Sequence, residues 1–205
     1  MRTFPDIRMR ALVGQASAAN KKLAERDHES ALVDLRALEG RLAQLGLKSS
    51  WVKWALAVSL DVTGEPLAAF DKIGEALVID PLNPANHESY EIIANRLRAM
   101  IADATQGDPQ IADIYARLQR ENECDVTTHV CWAGYLAFTR KLDQAAKVLA
   151  AVTLLAPASI DAWRARAAVE AARGNATEAA VCQAQLTVLQ RQPVALGIMS
   201  VGGES

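Results

Sequence analysis

Aromatic residues are scarce in this 205-residue chain, at 5%, and it holds only three cysteines, three histidines and eleven glycines. Each shortage narrows the function. Three cysteines, Cys124, Cys131 and Cys182, are too few and odd in number for a disulfide framework, so a reducing, cytoplasmic setting is expected. No stretch approaches 18 uninterrupted apolar residues, which argues against membrane insertion. The opening ALVGQASAANKK supplies too little apolar sequence for a signal-peptide core. Charge of either sign is also in short excess. With 22 basic and 24 acidic residues the net charge is -2, and no basic stripe is available for a nucleic-acid backbone.

Chemistry is equally thin. The glycines are scattered and form no phosphate-binding loop; Gly202-Gly203 sits in a terminal tail. His28, His87 and His129 fall in three separate segments, which disfavours an enzyme and leaves no catalytic residue to name. Cys124, His129 and Cys131 lie within eight residues, yet without the paired-cysteine spacing or a fourth ligand of a structural zinc site. No metal and no cofactor is expected. Cys131 reads instead as core and groove packing, and Cys182 as a small hydrophobe in a helix.

What the chain has is alanine and helical periodicity. The stretch Ser50 to Pro84 reads SWVKWALAVSLDVTGEPLAAFDKIGEALVIDPLNP: an amphipathic segment, a Gly-Glu-Pro break, a second amphipathic segment and a proline-rich stop. Ala57, Ala69 and Ala76 place small side chains where two antiparallel helices would approach closely. From Ser50 as position 1, Leu56-Ala57, Gly64, Ala69, Ala76 and Pro81 match the outline of the tetratricopeptide repeat, a helical hairpin of about 34 residues. The fourth position, usually Trp, is Lys53. The pattern returns from Val126, with Trp132-Ala133, Ala145 and Pro157 in register and Arg140 in place of the turn glycine. It returns again from Ile160, with Trp163, Ala167, Gly174 and Ala179 in register and a late closing proline at Pro193.

Residues 50–83 and 126–193 thus resemble the tetratricopeptide-repeat family. Residues 5–46 read as a divergent first hairpin whose turn lacks its glycine. Residues 84–125 read as an irregular, longer third one, in which Asp108 caps a helix beginning at Pro109. The resemblance implies an all-α, right-handed solenoid of about five antiparallel hairpins. It would form a single domain over 1–196 with a flexible tail at 197–205.

The resemblance also implies a concave groove lined by the first helix of each hairpin. Its positions here are Trp51, Trp54, Val58, Asp61 and Val62 in the second hairpin. They are Thr127, Val130, Gly134, Ala137 and Phe138 in the fourth, and Asp161, Arg164, Ala168, Ala171 and Ala172 in the fifth. That groove is largely apolar, and Arg164 is its one candidate for gripping a carboxylate. Trp51 and Trp54 share a helix face and either anchor a partner or pack against the first hairpin. The expected function is a non-enzymatic protein–protein interaction module, adaptor or chaperone-like, that takes a segment of another protein. The alternatives are a self-assembling scaffold (a homo-oligomer) and a non-catalytic subunit of a modification or secretion complex that docks through residues 84–125.

Overall fold

The computed structural model describes residues 4–105 and 107–191, so the expected tail, Pro193 included, lies outside the described residues. Those residues form helices and no strand. In chain order they are α1 (Phe4–Ala24), α2 (His28–Gln44), α3 (Ser50–Val62), α4 (Pro66–Ile79), α5 (Pro84–Ala102), α6 (Gln110–Glu121), α7 (Val126–Phe138), α8 (Leu142–Leu155), α9 (Ile160–Ala172) and α10 (Ala176–Arg191). Helices α1 and α2, α3 and α4, α7 and α8, and α9 and α10 pack as hairpins. The chain divides after Met100 into two compact units.

The helix starts follow from side chains that replace missing backbone acceptors. Ser49 Oγ accepts the Val52 N–H at 3.3 Å, Ser159 Oγ accepts that of Ala162 at 3.2 Å, and Asp27 and Asp125 do the same for α2 and α7. Pro66 opens α4, where a helix can spare an N–H. At α6 the expectation shifts by one residue. Pro109 precedes the helix instead of opening it, while Asp108 Oδ1 still accepts the Gln110 N–H at 2.9 Å.

Four hairpins turn in one way. Arg26, Gly64, Arg140 and Gly174 take φ values of 61°, 89°, 64° and 78°. In each case the following N–H reaches back to the last turn of the first helix: Asp27 to Lys22 O, Glu65 to Leu60 O, Lys141 to Leu136 O and Asn175 to Glu170 O, at 2.8–2.9 Å. This is the left-handed cap that glycine adopts freely. The two arginines therefore occupy the glycine place of the turn, at the steric cost of a Cβ in that conformation. Arg140→Gly is expected to stabilise the chain by about 0.5–1 kcal/mol, the relieved strain outweighing the greater freedom of glycine when unfolded. Urea midpoints of the two proteins check this.

The close helix crossings rest on alanine, as the spacing predicts. Ala57, Ala69, Ala76, Ala133, Ala145 and Ala162 have no exposed surface. In the second unit, Ala133, Leu136, Ala145, Ala146, Leu149 and Val169 form one buried cluster drawn from α7, α8 and α9.

The fourth repeat position has three different solutions. Lys53 stands where the signature has Trp, only 17% exposed, and its ammonium lies 2.5 Å from Glu39 of α2 and against Glu75 of α4. Lys72 joins the same two carboxylates at 2.8 and 3.1 Å. Burial works against the Lys53 charge, but the hydrogen bonds it donates to Glu39 and Glu75, together with their negative charges, outweigh that and raise its pKa. Burial likewise opposes the two carboxylates, and the lysines hold both below the ordinary range. The charge network does the joining of α2, α3 and α4 that an indole would do by packing. In the fourth hairpin the position is His129, buried, whose Nε2–H donates to Glu123 O at 2.9 Å. Its Nδ1 accepts the Tyr115 hydroxyl at 2.9 Å. Trp163 of the fifth donates its indole N–H to Pro157 O at 2.8 Å and lies beneath the Arg166 guanidinium.

Candidate protein-binding groove

Helices α7 and α9 are the first helices of two successive hairpins and pack against each other. Between them lies an open cavity of about 480 Å³, lined by Val126, Thr127, Val130 and Cys131 from α7. Ala165 and Ala168 line it from α9, with Ser159, Asp161 and Arg164 at the α9 end. Of the positions named from sequence, it brings together Thr127, Val130, Asp161, Arg164 and Ala168. Phe138 lies beyond this lining and is 61% exposed. The floor is apolar because Val130 and Ala165 also pack onto the buried cluster beneath. The charges at its mouth are paired with each other: Arg164 Nη1 donates to Asp161 Oδ1 at 2.7 Å.

The first unit presents the corresponding side of α3. Trp51, Trp54 and Val58 are half-buried, Asp61 is buried and Val62 is 57% exposed. The Trp54 indole N–H donates to Ser89 Oγ of α5 at 2.9 Å, so this side chain reaches the helix that follows its own hairpin. Asp61 meets the same helix, its Oδ1 lying 2.9 Å from Arg96 Nη1. That nitrogen donates its hydrogen bond to the Asp61 backbone carbonyl at 2.8 Å, which leaves Oδ1 ion-paired without a hydrogen bond. Burial therefore raises the Asp61 carboxyl pKa, and the Arg96 charge lowers it only in part.

Sequence reasoning missed the partners on α5. Ser89 and Arg96 lie in the stretch 84–125 that reads as irregular in the sequence, and position counting is the signal that would have reached them. Asn86 was missed as well. It is 1% exposed, and its amide donates to Ser50 Oγ at 2.9 Å, Asp80 O at 3.1 Å and Ala76 O at 3.4 Å, clasping the start of α3, the end of α4 and the start of α5.

A raised acid pKa has a definite consequence. Below the unfolded value both states are protonated; as pH rises through the folded value, the native state must carry a poorly solvated charge and loses stability. Asp61→Asn is thus expected to stabilise the protein at pH 7 by about 1 kcal/mol. The gain should shrink as pH falls towards 4. Denaturant midpoints at pH 7 and pH 4 measure the difference.

Among the described residues, no group of three His, Cys, Asp or Glu side chains is placed to hold a metal ion. None of the described helices is long and apolar enough to cross a membrane. No protein-family model and no curated protein matches the sequence. Solved structures do match. MamA from AMB-1 is 15% identical with a TM-score of 0.50, the match covering 95% of this chain and 98% of that one. A second MamA crystal structure, also 15% identical with a TM-score of 0.50, matches over 87% and 91%. YrrB, described as a TPR protein with an unusual peptide-binding site, is 19% identical with a TM-score of 0.45, over 84% and 82%. Antiparallel hairpins with a shared left-handed turn and alanine crossings, together with the likeness to MamA, give this chain the tetratricopeptide-repeat-like all-α fold.

Proposed function

We propose that the protein is a non-enzymatic interaction module, adaptor or chaperone-like, that takes a segment of a partner protein against the first helices of its hairpins. The observation that carries this reading is the α7–α9 cavity. Five residues chosen from the repeat register line one apolar hollow, and the charges at its mouth are already paired. Val130 and Arg164 are the residues assigned to binding there, with Phe138 as a flanking contact. Trp51, Trp54, Val58, Asp61 and Val62 are assigned the same role on α3. Residues 1–196 are read as one repeat domain, since α5 runs unbroken through the division at Met100. Three cysteines, too few and odd in number for a disulfide framework, favour a cytoplasmic setting.

An affinity pull-down tests this with Ala168→Trp, which fills the hollow, and with Trp51→Ala/Trp54→Ala. Partners recovered by the wild type should be lost from a folded variant, and retained by Val78→Ser, an 82% exposed site on α4. Equal recovery by all of them would reject the groove.

Self-association is the second reading. Met9 and Val13 on α1 and Val181 and Val188 on α10 leave at least half of their surface exposed on the first and last helices. Light scattering that stays at monomer mass into the high micromolar range would remove it.

A further inference from the structure

We propose that the outward edge of Arg173 receives a carboxylate from an acidic segment of a partner protein, with Arg140 and Lys147 on either side of it. The site lies at the opposite end of α9 from the mouth of the α7–α9 groove and does not rest on the reading of that groove.

Two open hollows meet at this arginine. One, of about 380 Å³, lies between the turn into α8 and the turn into α10, and its walls include Arg140, Asp143, Arg173 and Asn175. The other, of about 460 Å³, continues along α8, and its walls include Asp143, Lys147, Glu170 and Arg173. Arg140 lines only the first and Lys147 only the second. Both cations are exposed, and neither forms an ion pair among the described residues.

The contacts of Arg173 divide into a fixed half and an exchangeable half. Nη1 donates to both Glu170 oxygens at 3.0 and 2.8 Å, and the Asn175 amide donates to Glu170 Oε2 at 3.1 Å. Glu170 is only 4% exposed, so breaking this pairing would strand a buried carboxylate. It anchors the guanidinium from within. The Nε–Nη2 edge faces Asp143 instead, whose side chain is 83% exposed. Nε and Nη2 converge there on one oxygen, Oδ1, at 3.0 and 2.9 Å. A carboxylate free to orient itself gives each of the two donors its own oxygen, which is the stronger arrangement. An exposed ion pair contributes little, so Asp143 is readily exchanged. Asp143 thus holds the place that an Asp or Glu of the partner takes, and Arg140 and Lys147 meet the neighbouring acidic residues. Helix α8 adds to the positive field. It starts at Lys141 without a side-chain cap, so the N–H groups of its first turn have no side-chain acceptor beside the first hollow.

Fluorescence anisotropy with a fluorescein-labelled hexaglutamate amide at low ionic strength tests the site. The wild type should bind this peptide and not its hexaglutamine counterpart. Asp143→Asn should tighten binding about threefold. Arg173→Lys added to it should cancel the gain, because lysine keeps the charge and loses the two-donor edge. Arg140→Gln/Lys147→Gln should weaken binding about fivefold. Arg41→Gln/Lys48→Gln, an equal loss of exposed charge in the first unit, should leave it within about twofold. Circular dichroism confirms that each variant is folded. No binding, no gain from Asp143→Asn, a gain that survives Arg173→Lys, or equal weakening by the two double variants would each overturn the proposal. So would an oligothymidylate that binds with this pattern of losses where the peptide does not, since the site would then belong to a nucleic acid.

Discussion

Leu149→Ala is expected to destabilise the protein by about 3 kcal/mol and to lower its thermal midpoint by roughly 6–12 °C. Leu149 has no exposed surface and sits among Ala133, Leu136, Ala145, Ala146 and Val169. Its neighbours are already small, and they cannot move inward far enough to close a leucine-sized void. The cost therefore combines lost burial with an unfilled cavity. Leu154→Ala, one turn and a half along the same helix and 82% exposed, should stay within about 0.5 kcal/mol of the wild type. The pair is informative because chemistry and helix are the same and only burial differs. Loss of Leu149 should also loosen the floor of the α7–α9 groove, since Val130 and Ala165 pack on this cluster. Differential scanning calorimetry, followed by partner capture below the lowered midpoint, reads both effects.

Most of the helices were legible because their signals are local. Alanine at fixed distances, serine and aspartate at helix starts, and the breaks at Gly64 and Gly174 each report on a few neighbouring residues. The turns at Arg26 and Arg140 were harder to see. Sequence presents them as departures from the glycine rule, whereas the chain imposes the glycine conformation on arginine because the flanking helices pack well enough to hold it there. The meaning of Lys53 was hidden for another reason. A lysine at an indole position looks like a mismatch until Glu39, fourteen residues earlier, and Glu75, twenty-two later, are brought beside it. Pairings of that kind depend on tertiary placement, and no periodicity announces them. The groove positions on α7 and α9 could be counted from the repeat, and the cavity gathers five of them. On α3 the same counting named Trp54 and Asp61 and could not name Ser89 or Arg96, because the register of α5 was not fixed by its sequence.

Asn86→Asp should be the most damaging single-atom exchange in the first unit, costing roughly 3–5 kcal/mol at pH 7. The Asn86 side chain is almost wholly buried, and its amide nitrogen points at three oxygens: the Ser50 hydroxyl and the carbonyls of Ala76 and Asp80. The Ser50 hydroxyl is already committed as donor to Ala76 O at 3.2 Å. Putting a carboxylate oxygen in place of the nitrogen therefore sets a buried negative charge against acceptors with no donor to meet it. Protonation would restore one O–H donor, so the folded state should hold this carboxyl far more protonated than the unfolded chain does. The sign follows: the defect is small below the unfolded aspartate value near 4, grows as pH rises through the elevated folded value, and is complete above it. Asn86→Ala removes the donor without adding a charge and should cost about 1–3 kcal/mol with little dependence on pH. Urea titrations of wild type, Asn86→Asp and Asn86→Ala at pH 4 and pH 7 separate the two cases. A pH-independent difference between Asn86→Asp and the wild type would show that the clasp is not the dry, donor-dependent junction described here.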